Sequence, residues 1–244
     1  MYVPAHFAMP AETARHVLGQ VRLADLVTVD PRTLAPAATP MPLVYLPEVG
    51  DYGAFHGHLA RTNSQWRHAD HPALVLVRGG DAYVNPDWYP SYREGGDAVP
   101  TWNYEVVQAA ARLVVHDDVV WIERHVRELS ARFDPGYDLD RSDRRLLEGM
   151  FRAVVGIELV VTEVSGKSKL SQNRSSADID GVVTALTADG RGDLAERMRV
   201  VSLPHATARE QVVATARAQR PGTSSPSRAS TALRKAGESS VDRA

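Results

Sequence analysis

The chain has 244 residues, of which 43% are hydrophobic and 24% charged, with a formal net charge of −2 and no cysteine. This composition is typical of a globular protein with a sizeable core, and the charge excludes a strong general attraction to nucleic acid or acidic membranes. The absence of cysteine excludes disulfides, thiolate metal sites and a cysteine nucleophile. Because there is no apolar run of about 18 residues and residues 1–7 lack a signal-peptide pattern, we expect a cytoplasmic protein with no membrane partner.

The charge is unevenly distributed along the chain. From Thr207 onward there are seven Arg or Lys residues and three acidic residues, a net of +4, which leaves −6 on the preceding part. After Pro221 the sequence is rich in Ser, Thr, Ala and Pro, a composition that favours disorder. We therefore predict a domain over residues 1–206 and a basic, largely disordered C-terminal tail over residues 207–244.

The first half of the chain is mainly β in character. Its predicted elements, in order, are a helix over 11–22, strands over 23–29, 36–47 and 52–58, a short helix over 60–66, and strands over 73–77 and 82–84. The segment Gly79-Gly80-Asp81 is predicted to turn the chain so that the last two strands pair as a hairpin. Prolines restrict the second strand to a sheet edge, or to a start after Pro42.

The second half mixes strands and helices. Its predicted elements are a strand over 109–116, helices over 120–133 and 142–154, a strand over 155–164, and helices over 178–187 and 193–201. Regular helices do not separate the strands, so a doubly wound parallel sheet is not expected. We predict an α+β, mainly β fold, in which a small antiparallel barrel carries peripheral helices, including an insertion around residues 120–155.

Candidate site residues begin with a histidine pair. His56 and His58 are two positions apart on a predicted strand and therefore face the same side. They are either hydrogen-bonded histidines at a sheet edge or a ligand or proton-handling pair. Since a His-x-His pair is a weak metal motif and no third ligand is evident, we do not predict a metal site.

Three further residues follow within one short segment. Arg61 and Asn63 are placed at the start of the predicted short helix, where a helix N-terminus and a guanidinium group together suit an anion. They are alternatively a solvent-exposed arginine and an asparagine cap. Trp66 is either a core residue or a stacking surface for a planar ligand.

Two clusters complete the candidate site. Trp102 and Asn103 follow Pro100, and an aromatic residue beside an amide suits a subunit interface or the edge of a flavin ring. Lys167 and Lys169 lie on one side of a strand that Ser171 is predicted to continue, and Gln172 adds both donors and acceptors. A solvated strand end is the alternative interpretation.

Several motifs occur in order over most of the chain: Tyr2-Val3-Pro4, Gly57-His58-Leu59-Ala60-Arg61, Trp88-Tyr89-Pro90, Val99 to Tyr104, and Lys169 to Asn173. With them the sequence resembles the PaiB-like family of FMN-binding negative transcriptional regulators. The resemblance implies an FMN-binding split β-barrel of the pyridoxamine-phosphate-oxidase type, with inserted and C-terminal helices. It also implies a homodimer with flavin between the subunits.

The resemblance also implies a set of cofactor-binding residues. A basic residue near Arg61 would hold the flavin phosphate, and the complete predicted set is Thr39, His58, Arg61, Asn63, Trp66, Trp102, Asn103, Lys169, Ser171 and Gln172. The chain departs from the family at Pro40, where relatives usually have histidine, and at Arg93, close to where they tend to carry lysine. DNA is an implied partner, and the basic tail is the part whose charge suits it.

Two alternatives remain open at this point, and the sequence does not decide whether the protein is an enzyme. The chain is similar, more distantly, to haem-dependent piperazate synthases, which form an N–N bond on a hydroxylated amino acid. In that case haem b replaces FMN and His58 is the axial iron ligand. The second alternative is a flavin reductase, since split barrels need no nicotinamide fingerprint.

Overall fold

The fold was analysed in a computed structural model that describes residues 1–219. Within these residues, seven strands form one antiparallel sheet in the order β2-β1-β5-β6-β7-β4-β3. The strands are β1 (Leu23–Val29), β2 (Pro36–Pro42), β3 (Val44–Leu46), β4 (Ala54–Ala60), β5 (Pro72–Val84), β6 (Thr101–His116) and β7 (Val154–Lys169). The helices are α1 (Ala11–Gly19), α2 (Pro90–Arg93), α3 (Val119–Phe133), α4 (Arg144–Arg152), α5 (Ser176–Ala188) and α6 (Gly192–Ala218).

The sheet closes into a barrel because one stretch of chain serves both of its edges. β2 and β3 lie at opposite ends of the strand order, yet only the fully buried Leu43 separates them in sequence. Residues 36–42 pair with β1, and residues 44–46 pair with β4. A side chain on Gly57 would overlap Met41 and Leu43, at 2.7 and 2.8 Å, so glycine allows β4 to approach this stretch closely.

The barrel interior is a continuous apolar cluster to which β1, β4, β5, β6 and β7 all contribute. Its fully buried members include Leu26, Phe55, Val75, Leu113 and Ile157. Helix α1 packs against β3, β5, β6 and β7 and inserts Ala14 and Leu18 into the same cluster. The predicted α+β antiparallel barrel is therefore confirmed.

Two helical layers flank the barrel, each with its own small core. Helices α3 and α4 are inserted between β6 and β7, and Asp118 and Asp143 cap their N-termini through side-chain hydrogen bonds. Helices α5 and α6 follow β7 and pack against the distal ends of the long strands around Tyr89 and Leu170. The predicted boundary at residue 206 falls inside α6, which continues to Ala218; the predicted tail beyond residue 219 lies outside the described residues.

Three local predictions were wrong. The segment Gly79-Gly80-Asp81 is not a hairpin turn, because β5 runs through it and its pairing with β6 merely shifts register between Arg78 and Asp81. Residues 60–66 do not form a helix: β4 extends to Ala60, and a 3₁₀ helix begins only at Ser64. Ser171 does not continue β7, which ends at Lys169, and its φ of 66° turns the chain away from the strand.

β1 matches its prediction residue for residue, whereas β6 begins eight residues before the predicted strand over 109–116 and α6 extends 17 residues beyond the predicted helix over 193–201. The strand predicted over 36–47 is divided into β2 and β3. No helix within residues 1–219 is both long and apolar enough to cross a membrane.

Candidate functional site

The outer surface of the long strands carries an aromatic and basic patch. We call it the lysine–aromatic face and define it as Tyr83, Trp102, Tyr104, Lys167 and Lys169. The strand register explains its composition, because Tyr83 pairs with Trp102 across β5 and β6 and Tyr104 pairs with Lys169 across β6 and β7. Directly opposed residues share a face of the sheet, so one side of three strands presents all five side chains.

Charge on this face is concentrated around one aromatic ring. The ammonium groups of Lys167 and Lys169 lie 5.5 and 5.9 Å from the Tyr104 ring centroid. Lys169 also donates to the Thr101 hydroxyl at 2.7 Å and to the Trp102 carbonyl. Burial, and then repulsion from Lys167, lowers the pKa of Lys169 below its usual value. Within residues 1–219 neither lysine forms a salt bridge, so an anionic ligand would relieve this repulsion.

Trp102 and Tyr104 line an open cavity of about 560 Å³, whose other walls include Leu76, Arg78, Asp81, Glu105, Val106 and Gln108. Trp102 is 51% exposed and Tyr83 is 45% exposed, with their rings edge to face at 6.3 Å. An accessible indole, a cavity and several cations are groups that suit a planar, anionic molecule. The sequence-predicted Trp102 and Lys169 thus lie close together, as expected.

Three other predicted residues lie behind this face and are buried. Asn103 is fully buried, and its amide exchanges hydrogen bonds with the Ser171 hydroxyl at 3.0 and 3.1 Å. The Gln172 amide accepts from the Leu170 backbone N–H at 2.8 Å and donates to the Ser168 carbonyl at 2.6 Å. These side chains hold the turn after β7 against α6, and their polar groups are directed into the protein.

Thr39, Asn63 and Trp66 lie in a second region, next to β1 and β2. Asn63 caps the 3₁₀ helix by accepting from the Gln65 N–H at 2.9 Å, and it donates to the Thr39 hydroxyl at 3.0 Å. Buried Gln65 extends this network by donating to the Thr28 hydroxyl at 3.0 Å. The half-buried Trp66 packs against the barrel core and donates to the Arg61 carbonyl, which supports its interpretation as a core residue.

Arg61 links three segments of the chain in an arrangement that we call the Arg61 clamp. Its guanidinium group forms a bidentate pair with Asp117, at 2.5 and 3.0 Å, and also donates to the carbonyls of Arg152 and Val154. The Asp117 partner raises the pKa of Arg61, and Arg61 lowers that of Asp117. In this arrangement the donors of Arg61 tie the end of β4 to the starts of α3 and β7, and its predicted phosphate contact would require the clamp to open.

His58 lies between the barrel and the α3–α4 insertion. Its Nδ1 is 3.2 Å from Nε2 of His125 on α3, and burial lowers the pKa of both imidazoles, that of His125 to about 3. His58 also lines a cavity of about 510 Å³ whose other walls are mainly apolar: Val126, Ser130, Tyr137, Leu139, Ser142, Leu146, Leu147, Met150, Phe151 and Val154.

Sequence reasoning missed the residues around this histidine pair. His56 lies 4.9 Å from the Trp121 ring, and Trp121 also stacks on His116 at 4.3 Å and on His125 at 5.5 Å. We call His56, His58, His116 and His125 the histidine cluster. The available signal was the spacing Trp121-x-x-x-His125-x-x-Glu128, which places three chemistry-bearing side chains near one face of a helix.

Residues 1–163 match the family described as "Putative FMN-binding domain". The chain is 30% identical over 196 residues to the protease synthase and sporulation protein PAI 2 of Bacillus subtilis, covering 76% of this chain and 89% of that protein. It is 25% identical over 164 residues to protein AN0679 of Emericella nidulans, covering 54% and 65% of the two chains.

Among solved structures, the fold is similar to that of the flavocytochrome Anf3 from Azotobacter vinelandii. The TM-score is 0.50 with 18% sequence identity, over 68% of this chain and 72% of that one. At this level of identity the similarity concerns the fold alone, and it agrees with the predicted split barrel.

Proposed function

The chain belongs to the family described as "Putative FMN-binding domain", and from this premise we propose that it binds FMN as a homodimer, with the lysine–aromatic face forming part of the flavin site. The observation that carries the proposal is the pair of unneutralised lysines beside exposed Trp102. The flavin phosphate carries between one and two negative charges at neutral pH, like other phosphate monoesters. Lys167 and Lys169 offer the complementary charge, and Trp102 offers a flat apolar surface for the ring.

The same residues support a dimer. The partly exposed side chains along the outside of β5 and β6 include Leu76, Tyr83, Trp102 and Val106, a mainly apolar strip that borders the open cavity. Exposed aromatic and aliphatic strips of this kind are typical of subunit interfaces. A second copy packed on this strip would convert the open cavity into an enclosed site, as flavin binding between subunits requires.

When bound, FMN supplies hydride- and electron-transfer chemistry. The residues of this chain bind and orient the flavin and exclude water from it. Lys169 is held in place by Thr101 and by the Trp102 carbonyl, so its ammonium group is preorganised before a phosphate arrives.

FMN titration of the purified chain, followed by quenching of flavin fluorescence, tests the proposal. Replacing Lys167 or Lys169 with Met removes one charge-assisted contact and should weaken FMN binding by roughly tenfold or more. Arg32→Gln is the matched control, because the Arg32 side chain is 84% exposed on another part of the surface. Unchanged affinity in both lysine variants would contradict the placement of the site, and a chain that binds no flavin would contradict the function.

A second candidate function is haem binding with His58 as the axial ligand, which one observation favours. His58 borders the mainly apolar cavity, and its Nδ1 is hydrogen-bonded to His125, the arrangement that orients an axial imidazole. Expression with added haem followed by an absorption spectrum tests it. A Soret band that disappears in His58→Ala and persists in Lys169→Met would replace the flavin proposal, whereas a band retained in His58→Ala would exclude His58 as the ligand.

The family resemblance also leads us to propose a role in transcriptional regulation. Its support in this chain is the net charge of +4 on residues 207–244, which is suited to the DNA phosphate backbone. This role is separable from flavin binding because it depends on a different part of the chain.

A further inference from the structure

The histidine cluster contains three potential metal ligands that come from two elements. One ring nitrogen each of His56 and His125 and one carboxylate oxygen of Glu128 all lie within 4.8 Å of one another. His56 is on β4, whereas His125 and Glu128 are one helical turn apart on α3. The Nδ1 of His56 is already 3.8 Å from the Glu128 carboxylate. Ligands around tetrahedral Zn²⁺ are roughly 3.3–3.5 Å apart, given bond lengths of about 2.0–2.1 Å, so small side-chain rotations complete the set.

Each of the two histidines has a buried ring nitrogen without a hydrogen-bond partner. Within residues 1–219, Nδ1 of His56 and Nδ1 of His125 are the buried side-chain nitrogen or oxygen atoms that form no hydrogen bond. His125 is 1% exposed, and its Nε2 is already occupied by His58 at 3.2 Å. A buried polar atom with no partner costs about 1–3 kcal/mol, so its occurrence on two facing imidazoles calls for a ligand between them.

Polar side chains lie close to the other ring nitrogen of each of these two histidines. Nε2 of His125 meets Nδ1 of His58, and Nε2 of His56 lies 3.8 Å from the Glu158 carboxylate. Contacts of this kind fix the orientation of an imidazole and direct its other nitrogen at the metal. His116 donates from Nε2 to the other oxygen of Glu158 at 3.0 Å, which holds that carboxylate in position.

The charges around the cluster also favour a cation. Glu128 and Glu158 both face His56, with Arg124 as the opposing positive charge. Two imidazoles and a carboxylate are a ligand set typical of Zn²⁺, with a fourth position left for water.

We propose that His56, His125 and Glu128 bind a divalent transition-metal ion, with Zn²⁺ as the occupant, and that the ion fastens α3 to β4 beside the His58 cavity. Nothing in this site uses the lysine–aromatic face. The metal proposal therefore stands whether or not the protein binds flavin.

The test is a Co²⁺ titration of the full-length, tag-free chain after treatment with a chelator, followed by competition with Zn²⁺. Tetrahedral Co²⁺ produces intense visible bands that report its geometry, and Zn²⁺ should remove them at one ion per chain. Glu128→Gln should weaken binding by about 100-fold, and the partly exposed position of Glu128 makes this change compatible with folding. Glu158→Gln should weaken it by about 10- to 100-fold, as expected for a residue that orients a ligand.

Two controls separate this site from adventitious binding and from the flavin site. His205→Asn changes an exposed histidine on α6 and should leave Co²⁺ affinity unchanged, as should Lys169→Met. In addition, Zn²⁺ at about 100 times its Kd should raise the folded-to-unfolded ratio by about 100-fold in the parent chain and not in Glu128→Gln. Octahedral Co²⁺ spectra, or affinities unaffected by both Glu128→Gln and His125→Asn, would overturn the proposal.

Discussion

The lysine–aromatic face and the histidine cluster handle charge in opposite ways. On the face, two lysines share one tyrosine ring at the surface, and the described chain supplies no acid to pair with them. In the cluster, burial has largely removed the charge, since it lowers the pKa of His56, His58 and His125. The first region therefore suits an anion arriving from solvent, and the second suits a cation coordinated by neutral rings.

The two regions also differ in what holds them in place. The face is positioned by the pairing of β5, β6 and β7, and among its side chains Lys169 is held in place by the Thr101 hydroxyl and the Trp102 carbonyl. The cluster depends on the docking of α3 against β4 and β7, with Trp121 packed between the histidine rings. Substitutions in the cluster should therefore mainly lower the free energy of unfolding. Substitutions on the face should mainly weaken ligand binding.

The largest effect is expected from Gly156→Ala, which breaks the cluster. A methyl group on Gly156 would overlap the Trp121 ring and press on the His116 carbonyl, so the ring must leave its position between the histidines. We expect the free energy of unfolding to fall by about 1–3 kcal/mol in denaturant titrations. Gly149→Ala is the matched control: nothing lies within 4 Å, and the added methyl group on α4 should stabilise by about 0.5–1 kcal/mol. Equal effects of the two changes would contradict this packing.

Trp102→Ala tests the face in isolation. Loss of the exposed indole should weaken FMN binding by roughly tenfold, because a stacked aromatic contact contributes about 1 kcal/mol or more. Unfolding should change little, since half of the side chain is exposed. Tyr2→Ala, at an 84% exposed tyrosine, is the control for loss of an aromatic surface residue. A stability loss without a change in FMN affinity would show that Trp102 is a structural residue.

Arg61→Gln tests the role of Arg61. The sequence predicted that Arg61 contacts an anion, whereas in the structure its guanidinium group is paired with Asp117. Loss of the contacts to Asp117 and to two backbone carbonyls should lower the free energy of unfolding, measured by denaturant titration. FMN affinity should stay within about twofold of the parent. Asp117→Asn should reproduce a smaller part of the stability loss, and a large loss of FMN affinity in Arg61→Gln alone would restore the phosphate role.

The pH dependence of flavin binding provides a smaller test of the face. Because the pKa of Lys169 is lowered by burial and by Lys167, its ammonium group loses its proton at a lower pH than an ordinary lysine. The charged form binds phosphate, so FMN affinity should be highest below this pKa and should decline as the pH rises through it. FMN titrations between neutral pH and pH 10 measure the effect, and Lys169→Arg should remove the decline by keeping the charge.

The smallest effect is expected from removing residues 220–244. If the tail supplies DNA contacts, truncation should weaken DNA binding and reduce the slope of log affinity against log salt by about 0.9 per lost phosphate contact. FMN affinity should be unaffected by the truncation. An unchanged salt slope would remove the tail from the proposed regulatory role.

The parts of the site that the sequence predicted correctly depend on local periodicity. The two-residue repeat of a strand places Lys167 and Lys169 on one side, and the structure confirms this. The same reasoning failed at Gly79 and Gly80, because paired glycines are compatible with a register shift inside a strand as well as with a turn.

The histidine cluster could not be predicted because it depends on docking between distant segments. The helix over residues 120–133 was predicted, but its buried residues, Trp121, Ile122 and His125, are set by the strands on which it packs. Nothing local to His56 or His58 indicates that a helix some 70 residues later covers them. The same applies to Arg61, whose partner Asp117 is 56 positions away.

The stretch that closes the barrel also decides how copies of this protein can meet. Pro36, Pro40 and Pro42 are two or four positions apart, so they share one orientation in β2, and without an N–H they suit the positions that do not bond to β1. Of the alternating positions 36, 38, 40 and 42, only Ala38 retains a backbone N–H that can donate a hydrogen bond. An edge with so few donors is a poor template for strand addition by another chain. Aggregation through edge-to-edge pairing is thereby disfavoured at β2.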